Sequence, residues 1–365
     1  MTSSRRFLIL ALVLVTLQAV SAGAAGAPAP AGATPFQPDP LVASLIAQVG
    51  QQDLYEMLRG LSGETPITVG GQSATLITRN TESAQIDTAT AYAYEFFQAH
   101  GLLTSYHEWE GEDDYGDWLA GQNVVAEIHG SQRPHEVVLV TAHLDDINED
   151  THVDGRAPGA DDNASGSAAV MTAAALLAGH PFERTLRFVL FTGEEQGLLG
   201  SAGYAQDCQA AGENLVAVLN MDMIAWDDND DGALYLETRR TSSAGYPADL
   251  AIANTLIEVV EAYGLETALE LHVDPCSDPW VDSWSFWSAG FPSVTAIEDW
   301  DWEEMNPYYH SAGDTVATLN LPYYTANVKA IVGTAAELAM PGATIEYDHW
   351  LYLPLVTRGR PVQVW

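Results

Sequence analysis

The chain has 365 residues, 47% of them hydrophobic, and a formal net charge of −37 at pH 7. Its length and apolar content predict a globular chain with a large core. The negative charge argues against nucleic acid as a partner, because the phosphates would be repelled, and it favours a protein that stays soluble outside the cell or at high salt.

Residues 1–22 are predicted to be an export signal. Arg5 and Arg6 precede an apolar stretch over residues 7–20, and small residues follow it, as in a cleavable signal peptide. A retained membrane anchor is the alternative, but the stretch is short for a membrane-spanning helix. We expect a secreted or cell-surface-associated chain, cleaved after Ala22, with no stable membrane span in its mature form.

Residues 23–40 are rich in Ala, Pro and Gly and are predicted to form a flexible leader. Helical patterns follow over residues 41–63 and 86–101, where apolar residues recur at helical spacing and glycines mark the ends. We interpret both apolar stripes as core packing. Residues 342–365 are predicted to be a C-terminal tail, whose apolar run is too short to span a membrane.

From residue 123 onward, strand and helix patterns alternate. The predicted strands are 123–130, 137–143, 185–193, 214–223 and 291–299, and the predicted helices are 167–180, 196–208, 249–264 and 323–340. This order predicts an α/β fold, with a mostly parallel central sheet and helices on both faces, in a single globular domain over residues 41–341. Sheets of this kind bind ligands beyond the carboxyl ends of their strands.

Metal-type side chains lie at the ends of three predicted strands. His143 ends one strand, Glu194 and Glu195 end the next, and Asp222 lies between two methionines, where an unpaired carboxylate would be costly. Adjacent residues at a turn can point to different targets, so one glutamate can bind metal while the other reaches a water molecule. Asp145 lies two residues after His143, so on a strand it would face the same side and orient the imidazole.

Two further candidate ligands lie in loops. In PGADDNASG, Asp162 precedes a predicted helix, and its two oxygens could bridge metals about 3.5–4 Å apart. Asp161 or Asn163 could cap that helix while Asp162 bridges. In YYHSAGDT, Asp314 could orient His310 or cap the next segment.

The combined set predicts a two-metal hydrolase. Two divalent ions would share one carboxylate, and another carboxylate would be left over as a base. The candidate residues are His143, Asp162, Glu194, Glu195, Asp222 and His310. The candidates on strands all lie at carboxyl ends, which independently favours a single site.

The motifs HLDD, PGADDNASG, FTGEEQGLLGS, NMDM and YYHSAGDT resemble those of the secreted co-catalytic zinc aminopeptidases, the family of bacterial leucyl aminopeptidase and aminopeptidase S. The resemblance implies two zinc ions as cofactors. One zinc would be held by His143, Asp162 and Asp222. The other would be held by Asp162, Glu195 and His310.

The same resemblance, which covers about residues 41–341, implies roles for two further side chains. Glu194 would be the general base, and Asp145 would orient the first histidine. The implied activity is the hydrolysis of N-terminal, apolar residues from peptides with a free N-terminus.

The chain departs from the family near Cys276. Relatives often carry a tyrosine there that helps to hold the oxyanion, whereas Asp274 and Pro275 precede Cys276 here. A local disulfide found in some relatives cannot form, because this loop holds one cysteine. Whether Cys276 pairs with Cys208 is left open by the sequence.

Three other functions fit parts of the pattern. A glutaminyl cyclase on the same scaffold would use a single zinc, and metal stoichiometry would distinguish it. A carboxypeptidase-like or dipeptidase-like relative would differ in its response to a blocked substrate N-terminus. A non-catalytic binding protein that has lost its metals is the third alternative, and the intact ligand set argues against it.

Two segments suggest additional binding groups. Aromatic residues crowd residues 280–309 and would in part line a pocket for an apolar side chain, while Glu298 and Asp299 could face the substrate amine. The second segment, DDNDDG, places three residues at the spacing of a calcium loop, although the later bidentate glutamate is missing. These residues are Asp227, Asn229 and Asp231. A hairpin turn through Asp231 and Gly232 is the simpler interpretation.

Overall fold

The computed structural model describes residues 36–113, 115–300 and 304–342. The predicted export signal, the leader up to residue 35 and the tail beyond residue 342 lie outside the described residues. Within that part of the chain, none of the helices has the length and apolar content needed to cross a membrane.

The centre of the fold is an eight-stranded sheet. Its strands are β3 (Leu103–Glu112), β4 (Trp118–Ile128), β5 (Arg133–His143), β6 (Arg184–Phe191), β7 (Asn214–Met221), β8 (Ala233–Glu237), β9 (Glu270–Asp274) and β10 (Ser293–Ile297). They lie in the order β3-β4-β6-β5-β7-β10-β8-β9. Strands β6, β5, β7 and β10 are mutually parallel, as are β8 and β9, whereas the other pairings are antiparallel. A separate antiparallel pair consists of β1 (Ile67–Val69) and β2 (Gln72–Ala74).

Eight α-helices surround this sheet in the described part of the chain. They are α1 (Pro40–Gln48), α2 (Gln51–Leu61), α3 (Ile86–Ala99), α4 (Gly166–Leu177), α5 (Leu199–Ala211), α6 (Tyr246–Ala262), α7 (Ser283–Ser288) and α8 (Leu321–Ala339). A short π-helix (Ala160–Ser165) leads into α4, and a 3-10 turn (Val316–Thr318) precedes α8.

Helices cover both faces of the central strands. Val137 of β5 packs with Tyr204 of α5 and Phe286 of α7. The next residue, Val138, points to the opposite face, where α4 and α8 contact β5. Burial on both faces explains why β5 is apolar from Val137 to Ala142 apart from Thr141, as expected for a central parallel strand. The predicted fold class, with its mostly parallel sheet and helices on both faces, is confirmed.

Several elements differ from the predictions. The first helical pattern is two helices, because the backbone is extended at Val49 and Gly50. Strand β3 was missed because it is a largely exposed edge strand without a run of buried residues. The predicted hairpin through Asp231 and Gly232 is wrong, since β10 lies between β7 and β8 in the sheet. The turn instead carries the chain across to the outer strands, and Gly232 has a positive φ of 75° that suits glycine.

Strand register fixes the level at which the candidate side chains emerge. His143 of β5 lies beside Phe191 of β6, the last residue of that strand. On the other side, Thr141 lies beside Asn220 of β7, so Asp222 follows its strand at the level of His143. The carboxyl ends of three adjacent parallel strands therefore meet at one edge, where ligands bind in sheets of this kind.

Candidate metal centre

His143 is the inner side chain of the site and is almost completely buried. Its Nδ1 donates to the backbone carbonyl of Asp145 at 3.2 Å. Its Nε2 lies 3.2 Å from one carboxylate oxygen of Asp222 and 3.2 Å from Oδ1 of Asp162. When Nδ1 carries the proton, the lone pair of Nε2 faces the two carboxylates. A second proton or a metal ion must then lie between Nε2 and these oxygens to offset the repulsion.

Asp162 connects His143 to a second imidazole. Its Oδ2 lies 3.2 Å from Nε2 of His310, while its Oδ1 faces His143. The same His310 nitrogen lies 3.0 Å from Oε2 of Glu195. Each oxygen of Asp162 thus faces a different histidine, which is the arrangement that a bridging carboxylate needs.

Backbone contacts hold the loop that carries Asp162. The carboxylate of Asp314 accepts the amide of Asp161 at 3.0 Å and that of Asp162 at 3.1 Å. Oδ1 of Asn163 accepts the amide of Gly166 at 2.8 Å, at the start of α4. Asn163 therefore caps the helix, and Asp314 holds the loop rather than orienting His310.

The two glutamates lie on a tight turn between β6 and α5. Gly193 has a positive φ of 75°, and the carbonyl of Glu194 accepts the amides of Gly197 at 2.9 Å and Leu198 at 2.8 Å. The turn directs Glu195 toward His310 and leaves Glu194 beside His143, with ligand atoms of His143, Glu194 and Glu195 all within 4.8 Å of one another.

Asp145 contacts this turn more closely than it contacts the imidazole. Its carboxylate accepts the amides of Gly193 at 3.0 Å and Glu195 at 3.3 Å, and the hydroxyl of Thr81 at 3.1 Å. Its Oδ1 lies 3.8 Å from Nδ1 of His143, beyond hydrogen-bond range. The predicted orientation of His143 is supplied instead by the Asp145 carbonyl, because β5 ends at His143 and the alternation of a strand no longer applies.

The charges of the centre are strongly coupled. Burial raises the pKa of Glu194 well above its usual range, and Glu195 and Asp222 add to this effect against the opposing charge of His143. Burial, reinforced by Asp162, raises the pKa of Glu195 to about 7. The same carboxylates draw positive charge onto the imidazoles: burial opposes it, but Glu195 and Asp162 raise the pKa of His310 to about 11.

The donor atoms fit divalent metal ions. Among the described residues, Oε1 of Glu195 is buried without a hydrogen-bond partner, and Nε2 of His310 approaches the carboxylates of Asp162 and Glu195 without a well-directed hydrogen bond to either. Two groups of potential ligands have their donor atoms within 4.8 Å of one another, namely His143, Asp162 and Asp222, and Asp162, Glu195 and His310. Imidazole and carboxylate donors of this kind suit zinc, and the two groups share Asp162.

A cavity of about 810 Å³ opens onto this centre. Glu194, Glu195 and His310 lie at its base. Its other lining residues include the aromatic side chains Tyr115, Trp280, Trp284, Trp300 and Tyr309. The aromatic segment identified in the sequence therefore lines the cavity in part.

Glu298 does not face this cavity. It is 1% exposed, and its Oε2 accepts the amide of Trp226 at 2.8 Å. Asp299 accepts the hydroxyl of Tyr235 at 3.2 Å. Neither residue is among those lining the cavity, so the expectation that they face a substrate amine is wrong.

The loop of residues 227–231, here called the acidic loop, uses its oxygens differently. The amide of Asp231 donates to Asn229 at 2.9 Å, and the Asn229 side chain donates to carboxylates of Asp231 at 3.0 Å and Glu304 at 2.8 Å. No three of its described Asp, Glu, His or Cys side chains bring ligand atoms within 4.8 Å of one another. Calcium binding at Asp227, Asn229 and Asp231 stays a prediction.

Arg79 is a supporting residue that the sequence did not reveal. It is fully buried and pairs with Asp146 at 3.0 Å. It also donates to the carbonyl of Leu144 at 2.7 Å and that of Gly159 at 2.9 Å. One guanidinium thus joins the loop after His143 to the loop before Asp162. The one available signal was an arginine among only 13 basic residues in the chain, followed by a polar stretch.

The model of peptidase family M28 matches residues 123–335 of this chain. A probable leucine aminopeptidase from Arthroderma otae is 31% identical over 228 residues, which cover 60% of this chain and 57% of the relative. The chain thus spans under two thirds of that relative's length.

Two solved structures share the fold. BSAP, a zinc aminopeptidase from Bacillus subtilis, aligns with a TM-score of 0.64 at 15% identity, over 81% of this chain and 97% of BSAP. A glutaminyl cyclase from Porphyromonas gingivalis aligns with a TM-score of 0.61 at 16% identity, over 78% of this chain and 97% of the cyclase. Because an aminopeptidase and a cyclase both align, fold likeness does not distinguish the two activities.

Proposed function

The chain belongs to peptidase family M28, and on that premise we propose that it is an exported di-zinc aminopeptidase. Its substrates would be peptides with a free N-terminus and an apolar first residue. The observation that carries the proposal is the position of Asp162, whose two oxygens face two different histidines. A single-metal site would not need both halves of this arrangement.

The two overlapping groups of donors would hold the metals. His143 and Asp222 would bind one zinc, Glu195 and His310 would bind the other, and Asp162 would bridge the two. When bound, zinc supplies Lewis acidity, which polarises the scissile carbonyl and makes a nearby water more acidic. The charge balance supports two ions, because their four positive charges offset three ligand carboxylates and leave room for one further anion.

Glu194 would move the proton. Its carboxylate lines the cavity beside His143. Glu194 belongs to neither of the two donor groups that contain Asp162, so its carboxylate stays available as a base. One of its oxygens would accept a proton from the attacking water and then return that proton to the nitrogen of the leaving amine. Asp145 would position Glu194, since it accepts the amides of the turn that carries the two glutamates.

The cavity supports selectivity for the substrate. A free α-ammonium group would be attracted to the carboxylates at its base, whereas a blocked amine would not. Trp284 and Tyr309 offer apolar surface for the first side chain. Trp280 also lines the cavity, and 73% of its surface is exposed. Exposed apolar surface of this kind is available for contact with a peptide.

The glutaminyl cyclase is the second candidate, favoured only by the shared fold. It would use one zinc, and the complete second donor group argues against it. A carboxypeptidase-like or dipeptidase-like activity would share the metal chemistry but would not depend on a free substrate amine.

The test is a zinc count on the purified mature protein, together with hydrolysis of Leu-p-nitroanilide and its N-acetyl form. The proposal expects the wild type to hold two more zinc ions per chain than Asp162→Ala, which removes the shared ligand, and to cleave the free-amine substrate alone. Zinc at a single donor group without cleavage would favour the cyclase. Cleavage of the acetylated substrate would support a hydrolase activity but would show that a free substrate amine is not required. Sequencing the mature N-terminus tests export, with Gly23 as the expected first residue.

A further inference from the structure

A second group of metal-type side chains lies at the ends of β8 and β9, apart from the centre described above. Glu237 and Asp274 are directly opposite one another in the parallel pairing of these strands, so their side chains lie on the same face of the sheet. Cys276 follows two residues later. Ligand atoms of Glu237, Asp274 and Cys276 all lie within 4.8 Å of one another.

Backbone contacts fold the chain back over Glu237. The amide of Thr238 donates to the carbonyl of Asp274 at 2.8 Å, and the amide of Ser277 donates to the carbonyl of Thr238 at 3.0 Å. Ser277 has a positive φ of 57°, which reverses the chain direction. Nε of Arg240 holds the carbonyl of Cys276 at 3.0 Å. Hydrogen bonds of the backbone on both sides of Cys276 therefore fix the position of its thiol.

The carboxylates of this group lie close to one another and to Asp278. Glu237 is 5% exposed, and among the described residues its buried Oε2 has no hydrogen-bond partner. Burial raises the pKa of Glu237 to about 8, and the nearby carboxylates of Asp278 and Asp274 contribute in the same direction, against a hydrogen bond from Cys276. Like charges directly opposite in a sheet are destabilising, and a cation between them would reverse that effect.

A disulfide does not explain the cysteine. Both cysteines are free, and Cys208 lies in α5, in the core cluster that contains Val137 and Phe286. Burial and the carboxylates of Glu237 and Asp274 raise the pKa of the Cys276 thiol, although the backbone amide of Asp278 donates to its sulphur. A bound cation would shift this balance toward the thiolate.

We propose that Glu237, Asp274 and Cys276 bind a divalent cation of the zinc type, which fastens the 274–278 segment to the end of β8. A thiolate with two carboxylates suits zinc rather than calcium or magnesium, which prefer oxygen donors alone. On binding, the sulphur–metal bond replaces the S–H bond, and the thiol proton passes to solvent. This site shares no ligand with the centre that contains His143.

Cobalt(II) is the probe that tests this site. All five ligands proposed for the main centre bind through nitrogen or oxygen, so a thiolate-to-cobalt charge-transfer band in the near ultraviolet can report only on a cysteine. We expect the band when metal-free mature protein is titrated with Co²⁺. It should be lost in Cys276→Ser and retained in the matched control Cys208→Ser. A wild-type titration without the band, or a band that depends on Cys208, would overturn the proposal.

Native zinc content gives a second measurement. Wild-type protein should carry one more zinc per chain than Cys276→Ser or Glu237→Gln, and the Glu237 variant serves if the serine variant does not fold. Equal zinc content in folded wild type and variants would also overturn the proposal. The outcome is independent of the proposed aminopeptidase function, because the band and the zinc difference do not depend on turnover. Failure of peptide cleavage with the band present would reject the function and leave this site standing.

Discussion

Two acidic regions of this molecule show that the number of carboxylates does not decide where a metal site forms. The acidic loop has four aspartates in residues 227–231, but its oxygens bond largely to neighbouring groups at the surface. The centre at the ends of β5, β6 and β7 has comparable charge, but its carboxylates are buried and converge on two imidazoles. Convergence and burial leave donor atoms that only a cation or a proton can satisfy.

Loss of the proposed base should have the largest effect. Glu194→Gln keeps the size of the side chain but cannot accept a proton, so kcat for Leu-p-nitroanilide should fall by about 10²–10⁴-fold with zinc content unchanged. The matched control is Glu110→Gln, since Glu110 lines a different cavity and belongs to neither donor group of the centre. Near-normal kcat in the Glu194 variant would remove it as the base.

Arg79→Met should cause the next largest effect, on stability. It leaves the buried carboxylate of Asp146 without its ion pair, which costs about 3–5 kcal/mol of unfolding free energy by urea denaturation. Arg59→Met, which breaks an exposed pair with Glu56, should cost about 0–1 kcal/mol. Equal effects of the two substitutions would contradict the role given to Arg79.

The Arg79 variant should also respond to pH. Burial raises the pKa of Asp146 to about 6 even with Arg79 present, so its folded-state pKa lies above the unfolded value. Stability linked to such a group is present at low pH and is lost as pH rises through the folded pKa. The defect of the variant should therefore be larger at about pH 8 than at about pH 5.

Asp314→Asn should have a moderate effect on metal binding. The substitution weakens the acceptor for the amides of Asp161 and Asp162 without replacing a proposed ligand. Changes in groups that orient metal ligands typically lower affinity by about 10–100-fold. Competition with a zinc chelator measures this shift, and unchanged affinity would show that the loop holds its shape without Asp314.

The acidic loop should give the smallest effect. Asp231→Asn removes a charge at the surface, where substitutions usually change stability within about 0.5 kcal/mol. Zinc content and kcat should be unchanged. If calcium raised the thermal stability of the wild type but not that of the variant, the comparison would fail and the calcium prediction would be established.

Sequence patterns predicted several of the side chains that converge at the centre, because these side chains follow strand ends. His143 and Asp222 each end an apolar run, and strand alternation places such residues at one edge without knowledge of the tertiary structure. The same rule failed for Asp145, since β5 ends at His143. The contacts of Arg79 and Asp314 join loops far apart in sequence, and no local pattern encodes them.

The outer strands were harder to predict for a different reason. Strand β3 is mostly exposed, and β9 is only partly buried throughout, so neither shows a clear alternation of buried and exposed residues. The pairing of Glu237 with Asp274, and hence the group that includes Cys276, emerges only once β8 and β9 are known to be neighbours.

The measurement that tests the central claim most directly is anomalous diffraction at the zinc absorption edge from crystals of the mature protein. The account predicts two peaks about 3.5–4 Å apart on either side of the Asp162 carboxylate, one beside His143 and Asp222 and one beside Glu195 and His310. A single peak at this centre, or two peaks that do not share Asp162, would contradict it.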